Sequence, residues 1–319
     1  MKNEEKFSKK IEELKEKISR DDLIMVLGGM DTGKTTLTRG LLETLGGKVI
    51  DTDPGQPGLG PPGLITSGSY AEGVEDAYFV GDFTPRGNLV EVITGVAKVE
   101  KGSGRPCFVD TDGWVEGGAA GAYKGGLISL LEPDLLLLLE RGCELEAFAS
   151  YLPPEKVVRY EIGHMGEKTQ GERAANRVRK LKYYFSQGRT VRKSWSEVRF
   201  AGTLIGNGED VSEQLAPGIP ESGPVKAWRT GNQLTVLSGS REEALAQFEA
   251  SDEITKVNHH PIEDLAYRFV GCYQGSRFTG IGTVTDVTRK GIEVLTTGTE
   301  FDLVKLGKVR VRPSGRTIS

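Results

Sequence analysis

Residues 28–35 carry the strongest chemical signal in the chain. They read G-G-M-D-T-G-K-T and fit the phosphate-binding pattern G-x-x-x-x-G-K-[ST]. Glycines in such a loop let backbone N–H groups surround a phosphate, while Lys34 reaches the β- and γ-phosphates and the Thr35 hydroxyl binds Mg²⁺. The pattern predicts a site for a nucleoside triphosphate. Its residues are Gly28, Gly29, Met30, Asp31, Thr32, Gly33, Lys34, Thr35 and Thr36.

A second polar segment, D-T-D-P-G-Q, follows the apolar residues 48–50. It places Asp51, Asp53 and Gln56 at the carboxyl edge of the predicted sheet, where open α/β sheets bind ligands. Asp53, just beyond the strand, is suited to accept a proton from an incoming hydroxyl, and Asp51 is suited to the water shell of the metal. The alternative that Asp51 only caps the turn before Pro54 stays open.

A third polar segment, T-D-G-W, follows the apolar residues 107–109 and Asp110. Asp110 has the position of a Walker B acid. Thr111, Gly113 and Trp114 form a predicted polar corner at the same sheet edge. Trp114 either stacks on a nucleobase or belongs to the core.

Residues 168–193 form a strongly basic run in a chain that is acidic overall. On a helix, Arg173, Arg177 and Lys180 would share one face, and apolar residues would pack on the adjacent face. Such a helix would close over the triphosphate as an arginine lid or contact a nucleic-acid backbone. The bases of the run are Lys168, Arg173, Arg177, Arg179, Lys180, Lys182, Arg189, Arg192 and Lys193.

Short apolar runs alternating with helical stretches must position these side chains. Candidate strands at 23–27, 48–51, 77–81, 107–110, 135–139 and 156–160 are largely apolar, as in a parallel sheet covered on both faces. They predict a P-loop NTPase domain with a mostly parallel, doubly wound sheet. After about Trp195, short strands broken by Gly, Asn and Ser predict a smaller all-β domain, with one helix near 241–250.

We therefore expect an amphipathic helix at 1–22, a kinase-type domain at 23–195 that includes the lid at about 168–193, and a β domain at 196–319.

Composition excludes several classes of protein. The formal charge is −4, so any nucleic-acid site must be local. The three cysteines have no C-x-x-C pair, which argues against zinc and disulfide frameworks. Neither a secretory signal nor a membrane-spanning run is evident. We expect a cytoplasmic protein without membrane contact, or a nuclear one in a eukaryotic host.

Several motifs in this order resemble the polynucleotide 5′-hydroxyl kinases. That family includes the kinase subunit of the eukaryotic pre-mRNA cleavage and tRNA-splicing machinery, the nucleolar pre-rRNA kinases, and shorter archaeal relatives. The matching segments are the phosphate loop with Asp31, D-T-D-P-G-Q-P with the later P-P-G, G-D-F-T-P-R at 81–86, T-D-G-W-V-E-G at 111–117, and R-A-A-N-R at 173–177. The larger eukaryotic members begin with a β domain where this sequence has a helical start, so contacts of that domain are not transferred.

The resemblance implies Mg²⁺-dependent transfer of the γ-phosphate of ATP to the 5′-hydroxyl of single-stranded or end-exposed RNA or DNA. It implies Asp53 as general base, residues 111–114 as a clasp on phosphate and the terminal nucleotide, and Arg173 and Arg177 as lid arginines. Gln56 is a further candidate for substrate binding. It names no protein partner. Two alternatives remain: a P-loop kinase of a small molecule such as a nucleoside, and an ATP-binding scaffold of an RNA-processing complex. The missing N-K-x-D motif disfavours a GTPase.

Overall fold

The computed structural model describes residues 2–163, 166, 168–214, 225–242 and 253–318. Residue contacts divide the chain into two compact units, the first ending at Arg177 and the second beginning at Val178. The division falls inside one helix, whereas the sequence places a domain boundary near residue 195, which stays a prediction. No helix in the described ranges has the length and apolar character needed to cross a membrane.

The first unit contains a seven-stranded sheet flanked by helices. The strand order is β4-β3-β2-β5-β1-β6-β7; the last five strands in this order are parallel, and β3 and β4 join as antiparallel additions at the β2 edge. The strands are β1 (Leu23–Gly28), β2 (Lys48–Asp51), β3 (Leu64–Ser69), β4 (Gly73–Phe79), β5 (Cys107–Asp110), β6 (Leu135–Glu140) and β7 (Val157–Glu161). The helices are α1 (Lys2–Lys15), α2 (Lys34–Leu45), α3 (Leu89–Glu100), α4 (Gly118–Leu131), α5 (Glu146–Ala149) and α6 (Gln170–Ser186).

The central strands β1, β5 and β6 are buried at every position. Their apolar side chains form one core on each face of the sheet, as a doubly wound fold requires. Helix α1 covers part of one face: Leu14 is fully buried, and Ile11 lies against α2 at Gly40. The N-terminal helix, expected at 1–22, therefore packs on the sheet through an apolar face, and it ends at Lys15.

The second unit is built from β strands. One sheet has the order β10-β11-β12-β13, and the other has the order β18-β17-β14-β15-β16-β8, with β9 pairing to β17. Its strands are β8 (Arg189–Ser194), β9 (Arg199–Ala201), β10 (Glu209–Asp210), β11 (Lys226–Thr230), β12 (Gln233–Ser238), β13 (Lys256–Pro261), β14 (Arg268–Gln274), β15 (Arg277–Thr288), β16 (Gly291–Thr296), β17 (Leu303–Val311) and β18 (Thr317–Ile318), with a short helix α7 (Ile262–Leu265). The helix expected near 241–250 falls almost wholly outside the described residues.

The predicted fold class is confirmed: a P-loop α/β domain carries a mostly parallel sheet, and antiparallel β sheets follow it. Sequence patterns missed six of the described strands, and three of these, β9, β10 and β18, have only two or three residues. The other three are longer. Strand β3 carries Thr66, Ser67 and Gly68, and β8 and β13 are largely polar, so none shows a continuous apolar run. The bases Arg189, Arg192 and Lys193 accordingly lie in β8 and not on the lid helix.

Candidate active site

The predicted site residues converge on one cleft of about 1010 Å³ in the first unit. It opens at the carboxyl ends of β1, β2 and β5, where the sheet delivers three polar loops side by side. All of the predicted phosphate-loop and acceptor residues line it, with the exception of Gly28, and so do the two lid arginines Arg173 and Arg177. Lys180, predicted to share their face, is not among the lining residues. Gly28 lies at the end of β1, where a Cβ would approach Thr32 Oγ1 to 2.5 Å, so its role is to allow close packing.

The phosphate loop has the backbone expected of an anion site. Asp31 and Gly33 adopt positive φ angles of 55° and 88°, and α2 begins with no side-chain cap at its N-terminus. Its first N–H groups are thus directed at the cleft, where a phosphate would accept them. The Lys34 ammonium donates to the carbonyls of Gly28 at 2.9 Å and Gly29 at 2.7 Å. Burial lowers the pKa of Lys34, and the negative charge of Asp110 opposes that shift.

Asp53 sits in a tight turn after β2. Its Oδ1 accepts the N–H of Gly55 at 2.8 Å and of Gln56 at 2.9 Å. The turn packs closely on the neighbouring loop, because a Cβ on Gly55 would lie 2.6 Å from the carbonyl oxygen of Phe83. Burial, with the charge of Asp112, raises the pKa of Asp53, although the two backbone N–H groups oppose that shift. One carboxylate oxygen is therefore fixed by the backbone, and Asp53 faces the cleft with a raised proton affinity.

Asp51 is held by the backbone of the same loop. Its Oδ1 accepts the N–H of Asp53 at 3.0 Å, and its Oδ2 accepts those of Gly58 and Leu59. Burial and the neighbouring charge of Asp110 raise the pKa of Asp51. These bonds are those of a loop-organising carboxylate, the alternative considered from the sequence. Its predicted place in the metal's water shell stays a prediction.

Asp110, at the end of β5, has the character expected of a Walker B acid. It is 3% exposed, and its Oδ1 has no hydrogen-bond partner among the described residues. Burial raises the pKa of Asp110, while hydrogen bonding from Thr35 and the charge of Lys34 lower it. A buried carboxylate oxygen without a partner, beside a hydroxyl of the phosphate loop, fits a hydrated Mg²⁺. Such ions take only one or two protein ligands and complete their shell with water and substrate phosphates.

The corner after β5 closes against the phosphate loop. The Thr111 hydroxyl donates to the carbonyl of Val26 at 2.7 Å, which ties β5 to β1. Gly113 lies close to Met30: a Cβ added at Gly113 would stand 2.8 Å from the backbone nitrogen of Met30. Trp114 lines the cleft with its ring stacked on Tyr123, the centroids 6.0 Å apart. The corner thus presents one aromatic ring beside the phosphate site.

Asp112 lies inside the same T-D-G-W motif, but the sequence patterns assign it no role of its own. Its Oδ1 accepts the N–H of Trp114 at 2.9 Å, and its Oδ2 accepts the Tyr123 hydroxyl at 2.9 Å and the Lys124 ammonium at 2.6 Å. Asp112 and Lys124 are 3% and 0% exposed. The sequence did contain a signal for this pair. Lys124 lies among small and apolar residues of α4, and a buried lysine needs a charged partner.

Helix α6, which carries the two predicted lid arginines, is joined to the site by two contacts. The Arg173 guanidinium forms an ion pair with Asp31 at 2.6 Å, and the Gln56 amide donates to the carbonyl of Arg173 at 2.9 Å. Partial burial works against ionisation of Asp31, but the N–H of Lys168 and the charge of Arg173 lower its pKa. Arg177 lies with its guanidinium 5.8 Å from the centre of the Phe83 ring and close enough to Asp53 for their charges to interact.

Loop 81–88 forms a further wall that the sequence patterns did not assign to the site. Phe83, Thr84, Pro85 and Arg86 all line the cleft, and the Arg86 guanidinium lies 4.9 Å from the Trp114 ring centre. The family motif G-D-F-T-P-R had marked this segment without giving it a role. The sequence predicts a strand at 77–81 directly before this loop, and strand β4 (Gly73–Phe79) overlaps that prediction.

Comparison with known proteins agrees with this arrangement. The chain is 26% identical over 329 residues to a polyribonucleotide 5′-hydroxyl-kinase of Pyrococcus abyssi, with 95% of this chain and 91% of that protein covered. It is 27% identical over 331 residues to a polyribonucleotide 5′-hydroxyl-kinase of Methanocaldococcus jannaschii, with 92% and 88% covered. A solved structure of the wild-type Clp1p–Pcf11p complex has the same fold, with a TM-score of 0.62 at 14% identity over 94% of this chain and 77% of that one.

The family model described as mRNA cleavage and polyadenylation factor CLP1 P-loop matches residues 28–187. These residues run from the end of β1 through the phosphate loop, the loops after β2 and β5, and the whole of α6. The match therefore covers each element that builds the cleft. The chain belongs to the CLP1 P-loop family.

Proposed function

We propose that this protein is an ATP-dependent polynucleotide 5′-hydroxyl kinase, which transfers the γ-phosphate of ATP to the 5′ end of RNA or DNA. The observation that carries the proposal is the meeting of a phosphate loop, an acceptor-side carboxylate and an aromatic corner in one cleft. Lys34, Asp53 and Trp114 line it together. The names of the archaeal relatives, which span nearly the whole chain, support the same reaction.

Asp53 supplies the general base. Its Oδ1 is anchored by two backbone N–H groups, so the carboxylate keeps its direction while its other oxygen receives the proton of the 5′-hydroxyl. The hydroxyl oxygen forms a bond to the γ-phosphorus as the bond to the bridging β–γ oxygen breaks, and ADP leaves. Burial favours proton uptake, because it raises the pKa of Asp53.

The phosphate loop stabilises the charge that spreads over the transferring group. Lys34 exchanges its carbonyl partners for phosphate oxygens, and the N-terminus of α2 directs its N–H groups at the same position. Thr35 and Asp110 would hold Mg²⁺, which neutralises charge on the β- and γ-phosphates when bound.

The two lid arginines divide their work in this proposal. Arg173 fixes the lid to the phosphate loop through its ion pair with Asp31. Arg177, which lies over Phe83 and near Asp53, supplies its guanidinium to the transferring phosphoryl group. A lid that is attached directly to the phosphate loop links triphosphate binding to the placement of Arg177.

The test is transfer of label from γ-labelled ATP to matched 5′-hydroxyl RNA and DNA oligonucleotides, with Mg²⁺ and with a chelator. We expect labelling that needs Mg²⁺ and is lost in Lys34→Ala. Arg105→Ala is the matched control, because Arg105 pairs with Glu100 on the surface and lies outside the cleft. Labelling of a nucleoside but of no oligonucleotide would replace the proposal by a small-molecule kinase. Binding of ATP with no transfer at all would replace it by a scaffold.

A further inference from the structure

Loop 81–88 holds an arginine against the aromatic corner, and the assigned reaction gives that residue no role. Hydrogen bonds from Asn88 hold this loop together. Asn88 is 1% exposed, and its amide donates to Asp82 Oδ2 and to the carbonyls of Thr84 and Arg86. The two N–H groups of this buried amide, one of them shared between two acceptors, fix the loop backbone. The exposed Arg86 side chain therefore starts from a rigid base.

The same loop is packed against the turn that carries the proposed base. The carbonyl of Phe83 lies against Gly55, two residues from Asp53, so closely that a Cβ there would stand 2.6 Å away. Asp53 and Arg86 both line the cleft. When the 5′-hydroxyl of an acceptor reaches Asp53, loop 81–88 therefore lies beside the part of the acceptor that follows this hydroxyl.

Three other described cations of the cleft have protein partners that hold them near the phosphate loop. Lys34 binds the carbonyls of Gly28 and Gly29, Arg173 is paired with Asp31, and Arg141 donates to the carbonyl of Met30 at 3.0 Å. Arg177 and Arg86 each lie against an aromatic ring instead. Arg177 lies over Phe83 near Asp53, where the proposed reaction uses it. Within the described ranges the Arg86 guanidinium contacts the Trp114 ring and has no carboxylate partner, and the proposed reaction does not use it.

The acceptor side of the cleft is rich in carboxylates. Asp51, Asp53 and Asp110 lie close together there, and their charges would repel an incoming phosphodiester, whereas Asp112 is paired with Lys124. A guanidinium offers two parallel donors that match phosphate oxygens and is weakly hydrated, so it can leave an aromatic face for a phosphate at low cost.

We propose that Arg86 binds the first phosphodiester of the acceptor, the one that follows the terminal nucleoside, and so makes the site prefer polynucleotide ends over nucleosides. The inference rests on the proposed kinase function. Trp114 contacts the terminal base, Asp53 receives the hydroxyl proton, and Arg86 reads the phosphate that distinguishes a polymer end from a free nucleoside.

The sharpest test compares two acceptors that differ by this phosphate alone, adenosine and adenosine 3′-phosphate, together with a short 5′-hydroxyl oligonucleotide. The variants are Arg86→Met, which keeps an apolar contact with Trp114 but removes the charge, and Arg105→Ala as a control on an exposed arginine outside the cleft. Steady-state transfer from ATP gives KM for each acceptor and for ATP.

In the unmodified protein we expect adenosine 3′-phosphate to have a KM roughly tenfold to a hundredfold below that of adenosine, the range of a hydrogen bond to a charged group. Arg86→Met should abolish this preference and raise KM for the oligonucleotide by a similar factor, with KM for ATP unchanged. It should also reduce the slope of log KM against log salt concentration by about 0.7, the contribution of one phosphate contact on a single strand.

An equal rise in KM for both small acceptors would overturn the proposal, since Arg86 would then only support Trp114. An unchanged oligonucleotide KM would overturn it as well. Neither outcome touches the kinase assignment, which fails separately if the unmodified protein labels no polynucleotide. If adenosine 3′-phosphate is too poor an acceptor to measure, the oligonucleotide KM and its salt slope still decide.

Discussion

Replacing Lys124 by methionine tests the buried network under the aromatic corner. The Lys124 ammonium is fully buried and lies 2.6 Å from Asp112 Oδ2. Methionine fills nearly the same length without a charge, so Lys124→Met leaves the Asp112 carboxylate buried with two remaining donors, the Tyr123 hydroxyl and the N–H of Trp114. The substitution therefore isolates the loss of one charge.

The expected cost follows from that uncompensated carboxylate. Removing one partner of a buried ion pair costs about 3–5 kcal/mol. In a unit of this size each kcal/mol lowers Tm by roughly 2–4 °C, so the first unit should melt at least about 6 °C lower. Adding Asp112→Asn removes the stranded charge, and we expect the double variant to melt above Lys124→Met. That recovery would show that the two substitutions act through one interaction.

The assay uses Trp114 fluorescence as a probe confined to the first unit. The other two tryptophans, Trp195 and Trp228, lie in the second unit and are changed to Phe in every protein compared. The matched control is Lys156→Met, because the ammonium of Lys156 lies 3.9 Å from Asp134 with both side chains about half exposed. An exposed pair of that kind contributes at most about 1 kcal/mol. A Tm for Lys124→Met no lower than that of Lys156→Met would refute the reasoning.

Two further predictions concern the acceptor side of the cleft. Gly55→Ala should lower the transfer rate at least tenfold and leave ATP affinity nearly unchanged, because its Cβ would collide with the carbonyl of Phe83 and displace the Asp53 turn. The control is Gly102→Ala, which adds a methyl group into open space. Equal rates for the two variants would contradict the prediction. Trp114→Ala should raise KM for the oligonucleotide at least fivefold without changing KM for ATP, because a lost base stack costs about 1–3 kcal/mol. An equal rise in both KM values would assign Trp114 to the core.

The confirmed parts of the sequence reading depend on local pattern. Residues 28–35 combine a buried strand, a glycine loop and a helix start in one uninterrupted segment, so spacing alone identifies the phosphate loop. Strands β1, β5 and β6 are apolar at nearly every position, which is the mark of a parallel sheet covered on both faces. Together they predict the fold and the sheet edge that carries the site.

The features of the site that the sequence patterns did not predict depend on contacts between residues distant in sequence. Asp112 is defined by Lys124 and Tyr123 on a helix whose Gly- and Ala-rich sequence gives little amphipathic pattern. Arg86 follows a strand that the sequence predicts at 77–81, but its contact with Trp114 depends on β4 pairing antiparallel with β3, which the sequence does not show. The pairing of Arg173 with Asp31 joins residues more than a hundred positions apart. Tertiary pairing of this kind leaves no periodic signal in a single sequence.

The polar strands β8 and β13 show the same limit from another direction. Strand β8 reads R-T-V-R-K-S, which extends a basic run that had been assigned to a lid. It forms a strand because β16 supplies a complete ladder from Ser194 to Arg189. The neighbouring strand overrides the local preference of the sequence.

The most direct test of the central claim is single-turnover transfer by Asp53→Asn with saturating ATP and RNA. Asparagine keeps a carbonyl oxygen for the N–H groups of Gly55 and Gln56, so the turn is preserved while the base is lost. We predict a rate about 10²–10⁴-fold lower, with ATP and RNA affinities unchanged. A rate close to that of the unmodified protein would contradict the assignment of Asp53 as the base and, with it, the proposed geometry of transfer.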